Sequence, residues 1–491
     1  MMFNYPQYIS LLPFFILVLI VVMMMLSIGV KRDHRINATM AIVGLNVALF
    51  SLYFVAQVGE VDITPVLRVD GYFIFYASLV ILVSLCTCVF AYPWLSSIQK
   101  NREEFYILLI ISTLGGVFLS SANHLASLFI GMEVMSLPIC GLVGYVCERS
   151  RSLEAVLKYT ILSAAASAFF LFGMALLYAN TGVLGFRELG DAIHSSIIVQ
   201  PLLIVGFCLM LVGFCFKLSL VPFHLWTPDV YQGSVSPVGM FLASASKIAV
   251  LGVFMRLLMC TSINSSLGIS MILSVIAVAS MLCGNLMALR QDNIKRILGY
   301  SSIAHFGYIL VLCIASTTSD TKQLIEAVSV CLVSYVFSSL GAFGIVSLMS
   351  TAVINKDSEL IHSYRGLFWQ YPMLAAATTV IILSLAGMPM TFGFISKFYL
   401  LVIGMHSHLW VLISSLIIGS AIGLYYYLRI IINLYLPPSN FVEYHLPASY
   451  WIRTPSGFVV LILAVLSVVL GFYPQPMIEL AQLVQLDHYI L

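Results

Sequence analysis

Apolar residues run through this chain in blocks of about twenty, separated by short polar or turn-forming stretches. A helix needs about 20 apolar residues to cross the hydrocarbon of a bilayer, so the pattern predicts about fourteen spans. Seven begin near Gln7, Asn37, Phe73, Glu104, His124, Leu153 and Pro201, and seven near Pro237, Leu267, Lys295, Gln323, Trp369, Leu409 and Ser456. No polar stretch is long enough to bury a core of its own. The expected fold class is therefore an all-α polytopic membrane protein with no soluble domain. The opening "MMFNYPQYISLLPFFILVLIVVMMML" shows no basic leader and no small-residue cleavage site, and reads as a first span, not a signal peptide.

Composition agrees and narrows the function. Of 491 residues 61% are hydrophobic and 9% charged, against roughly a quarter charged in soluble domains. A net charge of +2 is too small to suggest a nucleic-acid partner. The ten cysteines are scattered, with Cys86 and Cys88 the closest pair and no CxxC. They read as small core residues, so neither a disulfide framework nor an iron–sulfur site is expected. The sequence has no phosphate-binding Gly-rich loop, no dinucleotide fingerprint and no His/Cys cluster at metal spacing. No cofactor is expected on this chain, and its energy must come from a partner or an ion gradient.

Loop charge gives the orientation. "KRDHR", "QKNRE", "ERSR", "RQDN" and "NKDSELIHSYR" follow spans one, three, five, nine and eleven, and Arg429 and Arg453 flank the loop after thirteen. Odd loops hold about 13 lysines and arginines and even loops about 4. The positive-inside rule places the odd loops in the cytoplasm and both termini outside.

A few ionisable residues remain inside the spans. Glu133 lies about ten residues into its span, roughly 15 Å deep at 1.5 Å per residue. Lys217 and Lys247 are at similar depth, and His305 and Lys397 complete the deep set. A charge at a helix centre costs about 2.5–3.5 kcal/mol, and such residues usually mark an ion path. Proton relay suits these types: an ammonium beside a carboxylate responds to its neighbour's charge, and histidine titrates near neutrality. Tyr300, Ser301, Ser302 and Tyr308 in "GYSSIAHFGY" could bond water between titrating groups. Bland readings stand beside these. Lys158 and Lys295 sit nearer the cytoplasmic ends, where snorkelling explains them as well. His224, in the turn after Pro222, suits a structural hydrogen bond at least as well as proton transfer. A purely structural Glu133–Lys217 ion pair is a further alternative.

Two spans combine lysine with proline: Lys217 with Pro222 in "VGFCFKLSLVPFHLWTPD", and Pro389 with Lys397 in "LAGMPMTFGFISKFYLL". Proline deletes an intrahelical hydrogen bond. In a membrane the freed backbone group survives only where protein or water satisfies it. Two such spans suggest two related halves, as in transporters built from inverted repeats with broken helices. The order is opposite, however, with lysine before proline in the first span and after it in the second.

These residues carry a family resemblance. "CGNLMALRQDNIKRILGYSSIAHFGYI" resembles the signature of the antiporter-like membrane subunits of respiratory complex I, the proton-translocating NADH:quinone oxidoreductase. "WTPDVYQG" followed by "ASASK" is most similar to the bacterial N-type subunit, and the similarity runs through essentially the whole chain. Of the sister subunits, one carries a long C-terminal lateral helix and another a glutamate where this chain has Lys397. Membrane subunits of multisubunit sodium/proton antiporters share the "KRxLxYSSxxHxG" pattern but match "WTPDVYQG" less closely.

The resemblance implies two inverted five-helix bundles, each with a broken helix. The expected division is residues 1–102 as an N-terminal three-helix segment, 103–261 and 262–435 as the two bundles, and 436–491 as a C-terminal loop and last helix. It further implies Glu133 and Lys217 as a pair in spans five and seven and Lys247 as the central relay lysine. Lys295 and His305 would continue the path, Lys397 would titrate in broken span twelve, and Lys158 and His224 would be accessory. NADH, FMN, iron–sulfur clusters and quinone would belong to partner subunits in a bacterial inner membrane. The rival expectations are a sodium/proton antiporter subunit and a structural spacer needed only for assembly.

Overall fold

A computed structural model describes residues 5–98, 102–146, 150–194, 200–350, 359–437, 451–482 and 484. Its first part comprises α1 Tyr5–Ser10, α2 Leu12–Val30, α3 His34–Val58, a two-stranded antiparallel hairpin (β1 Val61–Thr64, β2 Leu67–Val69) and α4 Gly71–Ser97. Then come α5 Glu104–Ser120, α6 Leu125–Val143, α7 Ser150–Thr181, α8 Phe186–His194, α9 Gln200–Leu218, α10 Trp226–Gly233, α11 Ser236–Ala243 and α12 Ala245–Thr261. The second half holds α13 Leu267–Ala288, α14 Ile294–Ala315, α15 Thr321–Met349, α16 Leu367–Gln370, α17 Pro372–Ala386, α18 Phe392–His406, α19 Trp410–Tyr435, α20 Pro455–Phe472 and α21 Gln475–Gln482.

Among the described residues twelve helices are long and apolar enough to cross a membrane, α11 and α12 counting as one. The 17-residue α5 and the two 15-residue halves α17 and α18 supply two more crossings. The total is the fourteen that the apolar blocks predict. The hairpin is an addition the helical pattern does not show. β-branched Val61, Ile63 and Thr64 lie just beyond Gly59 (φ +81°), with Pro65 at the turn, a composition that favours extended backbone.

Side-chain caps fix several helix starts. The Asp33 carboxylate accepts from the amide of Arg35 at 2.9 Å, Asp70 from Phe73 at 2.8 Å, and His124 Nδ1 from Ala126 at 3.1 Å. Each satisfies an amide that the first turn leaves without a partner. α11, α12, α14 and α15 form the buried centre, whereas α2, α7, α13 and α20 present much of their surface outward. With no hydrophobic drive between helices in lipid, close approach relies on small residues. Gly115 of α5 is the clearest case, since a Cβ there would stand 2.4 Å from the Met135 backbone nitrogen of α6.

The five helices from α5 to α11–α12 and the five from α13 to α19 follow the same plan, with the fourth member broken in each: α9–α10 and α17–α18. At the first break Ser219 has φ +63° and the Val221–Pro222 peptide is cis. The Val221 amide donates to Ser280 Oγ of α13 at 3.0 Å, and Trp226 Nε1 donates to the Phe216 carbonyl at 3.0 Å. Protein groups thus meet the backbone groups that the break frees. At the second break Gly387 (φ +74°) and Met390 (φ +68°) turn the chain through Pro389.

Candidate functional site

Both Pro–Lys spans place the ammonium at the C-terminal end of a half-helix. Lys217 lies in the last turn of α9. Lys397, which follows its proline, folds back across the break and donates to the Ala386 carbonyl at the end of α17, 2.7 Å away. A helix C-terminus carries unsatisfied carbonyls and partial negative charge, so a cation is stabilised there. Opposite sequence orders therefore produce one electrostatic arrangement. Gly387 permits it, because a Cβ at this position would lie 2.5 Å from Lys397 Cδ and 3.0 Å from Nζ.

Lys217 Nζ donates to Ser136 Oγ of α6 at 2.5 Å and to Ser163 Oγ of α7 at 2.9 Å, under the Tyr159 ring. Glu133, one turn before Ser136, accepts from Ser167 Oγ at 2.5 Å. Glu133 and Lys217 are thus neighbours across Ser136, each held by its own serine of α7. Among the described residues they form no direct ion pair, which corrects the reading of a structural salt bridge.

Lys247 is fully buried near the start of α12 and donates to Ser302 Oγ of α14 at 2.5 Å, with the Phe306 ring 4.9 Å from its nitrogen. Ser302 also accepts from Tyr335 Oη of α15 at 3.0 Å, and that hydroxyl lies 3.0 Å from the Ala243 carbonyl. Ala243 ends α11, so this span too is interrupted, at Ser244. No proline or glycine marks the place, and the sequence pattern misses it. Between Lys217 and Lys247 stands a wall of rings, Tyr159, Trp226 and Tyr231, in successive contact at 5.1 and 6.4 Å.

His305 lies one turn beyond Ser302, with its ring 5.6 Å from that of Tyr335. It lines a cavity of about 20 Å³ with Tyr308, Ser334, Ser338, Ser384, Ser396 and Lys397. A cavity of 10–15 Å³ is enough for one water. Lys158 and Lys295 lie near the helix ends that loop charge predicts to be cytoplasmic. Lys158 bonds Glu154 and Asp229, each at 2.6 Å, and Asp229 also bonds Arg296 at 2.7 Å. Lys295 is fully buried, donates to the Ser234 carbonyl at 2.9 Å and stands 3.8 Å from Glu359, so it does not snorkel. His224 sits in the first break, half-buried beside the Pro222 backbone.

A sequence profile described as NADH:quinone oxidoreductase/Mrp antiporter, transmembrane, matches residues 122–423, more than half of the chain. The chain belongs to this antiporter family. A chain of respiratory complex I from Thermus thermophilus, solved with bound aureothin, is 30% identical over 96% of this chain and 99% of its own, with a TM-score of 0.81. Chains of the membrane-bound sulfane sulfur reductase, an archaeal respiratory membrane complex, and of the Mrp complex from Dietzia sp. DQ12-45-1b share the fold. They are 20% and 19% identical, each over 98% of this chain and 99% and 98% of their own, with TM-scores of 0.83 and 0.82.

Within this antiporter-family chain, sequence reasoning passes over most of the groups that hold the lysines. Ser163 and Ser167 are readable afterwards as hydroxyls spaced i, i+4 in an apolar run, but nothing separates Tyr335 from the other tyrosines. Of the "GYSSIAHFGY" hydroxyls, Ser302 is the one hydrogen-bonded to a relay lysine among the described residues, while the Tyr308 ring stands 5.7 Å from Lys397 Nζ. Ser301 pairs with Tyr427, and Tyr308 accepts from Asn285 at 2.8 Å. Arg256, which the sequence pattern does not single out, is fully buried and pairs with Asp70 at 2.7 Å.

Proposed function

We propose that this chain is the N-type proton-translocating membrane subunit of a bacterial NADH:quinone oxidoreductase. The observation that supports it most is the placement of three lysines, the buried Lys217 and Lys247 and the half-buried Lys397, each at a helix interruption and each donating to a neutral hydroxyl or carbonyl. A neutral acceptor can hold the ammonium without locking it in a salt bridge, so the proton stays transferable. Glu133, beside Lys217 but not bonded to it, is suited to bias that lysine by its charge. His305 and the small cavity join the Lys247 cluster to Lys397. Lys158, His224 and Lys295 are assigned accessory roles at the cytoplasmic side, with the Lys158–Asp229–Arg296 cluster as the uptake face.

The division into an N-terminal segment (1–102), two bundles (103–261 and 262–435) and a last segment (436–491) belongs to this proposal, as do inner-membrane placement and termini on the outer face. NADH, FMN, iron–sulfur clusters and quinone are assigned to partner chains, and no redox step is assigned here. Two measurements test the reading. Gently solubilised membranes are run on a native gel, where the chain is expected to migrate with NADH-dependent dye reduction. Migration in a smaller complex, with the dehydrogenase intact elsewhere, would indicate an antiporter subunit instead. In the assembled complex Lys217→Ala and Lys247→Ala are expected to lower NADH-driven proton pumping, and unchanged pumping would mean a structural spacer.

A further inference from the structure

The Lys397 cavity lies within the second bundle, its His305, Ser396 and Lys397 half-buried, and a proton arriving there must still reach water on the far side. The start of α15 and the end of α18 lie at one face of the molecule, tied by Ser319 Oγ and Ser407 Oγ at 3.0 Å. At 1.5 Å per residue, Lys397 lies about 13.5 Å below the end of α18 and Tyr399 about 10.5 Å below it. Glu326 of α15 lies about 7.5 Å below the same face. Tyr399 Oη donates to Glu326 Oε1 at 2.6 Å, and Gln482 Nε2 of α21 donates to Oε2 at 3.3 Å.

Both donors to Glu326 are neutral, and the carboxylate is half-buried with a route to the surface. Lys322, one turn earlier on α15, and Glu479 of α21 are exposed. Ser396, which lines the Lys397 cavity, lies three residues before Tyr399 on α18. The three depths, the hydroxyl already bonded to a carboxylate and the cavity wall next to it form an outward series.

We propose that Glu326 is the proton-release group of the second bundle, reached from Lys397 by way of Tyr399. The proposal rests on the proton-translocating reading above. The Lys397 ammonium gives up a proton into the cavity and becomes a neutral amine. Tyr399 passes its hydroxyl proton to Glu326 Oε1 and takes the incoming one, remaining a neutral phenol. Glu326, now a neutral acid, loses its proton to the aqueous phase on that face. Gln482 holds the second oxygen in place through both states.

The test uses the assembled complex in uniformly oriented proteoliposomes, with proton arrival followed by a pH dye on the release-side surface. Glu326→Gln keeps the size of the side chain and removes the titrating group. It is expected to slow proton release by about 10²-fold, the usual contribution of a positioned acid–base group. It should also flatten the dependence of pumping on release-side pH, which a mere tie between α15 and α18 would not do. Tyr399→Phe should slow release while leaving that pH dependence in place. Where Glu326→Gln does not assemble, Glu326→Asp retains a carboxyl and is expected to pump with a shifted release-side pH dependence. Wild-type release and pH dependence in the Glu326 variants, with pumping lost in Lys247→Ala, would overturn the assignment of Glu326 and leave the translocation reading standing. Normal pumping in both sets would overturn both.

Discussion

The buried Arg256–Asp70 pair joins the end of α12 to the start of α4, and its two halves should not cost the same to remove. Arg256 and Asp70 are 0% and 1% exposed and meet at 2.7 Å. Breaking a buried pair by removing one partner costs about 3–5 kcal/mol, chiefly because the other charge is left buried. Asp70 has a second cation nearby: Arg68 Nε lies 3.7 Å from Oδ2, although Arg68 also bonds Glu60 at 2.7 Å. Arg256→Met therefore leaves Asp70 partly compensated and should fall at the low end, about 3 kcal/mol. Asp70→Leu removes the carboxylate that meets the fully buried Arg256 at 2.7 Å, whose guanidinium lies over the Tyr72 ring at 4.9 Å. It also deletes the cap on the Phe73 amide. Its expected cost is about 3–5 kcal/mol for the broken pair plus about 1 kcal/mol for the cap. The double variant buries no unpaired charge and should cost much less than the sum, about 1–2 kcal/mol with the cap still missing. Unfolding of the full chain by steric trapping in bicelles measures all three. Additive costs, or an Arg256→Met variant within about 0.5 kcal/mol of wild type, would refute the reasoning, since that is the range of a neutral surface change.

Three further outcomes are expected. Gly387→Ala should lose about 1–2 kcal/mol for a left-handed residue with a Cβ. It should also displace Lys397 from the Ala386 carbonyl, so pumping falls even where thermal stability is largely kept. Gly115→Ala should cost about 1–3 kcal/mol, because its Cβ would meet the Met135 backbone nitrogen at 2.4 Å and backbone cannot step aside. Gly116→Ala, whose nearest neighbour is a Val80 methyl at 3.0 Å, is the milder control in the same assay. At the start of α6 burial lowers the His124 pKa from the ordinary histidine value, against a smaller opposing pull from Glu188. The neutral ring accepts from the Ala126 amide and the protonated ring cannot. This contribution should be present above about pH 6.5, the ordinary value, and lost as pH falls through the lower folded value. The protection factor of the Ala126 amide, its exchange rate corrected for the intrinsic pH dependence, should fall across that window, and an unchanged protection factor would refute the cap.

The number, order and approximate starts of the crossing helices were legible because a bilayer imposes one strong length and composition rule on every span. The two proline breaks were legible for the same reason, since a missing amide in lipid demands a local remedy. The break at Ser244 left no mark, because nothing in "LASASK" forbids a continuous helix. It is recognisable only from Tyr335 and Ser339 packing against it from α15.

The chemistry divides in the same way. By itself the sequence determined which charges lie deep, Glu133, Lys217, Lys247, His305 and Lys397, because depth follows from position along a span. It could not determine their partners, which come from helices far apart in the chain: Ser136 and Ser163 for Lys217, Ser302 for Lys247, Ala386 for Lys397. Only the tertiary structure decided that Glu133 and Lys217 are separated by a serine, that Arg256 is an anchor, and that both proline-linked lysines serve a helix C-terminus despite opposite sequence order. The physical reason is that depth is set by one helix alone, whereas a hydrogen bond at 2.5–2.9 Å depends on how several helices rotate and pack against one another.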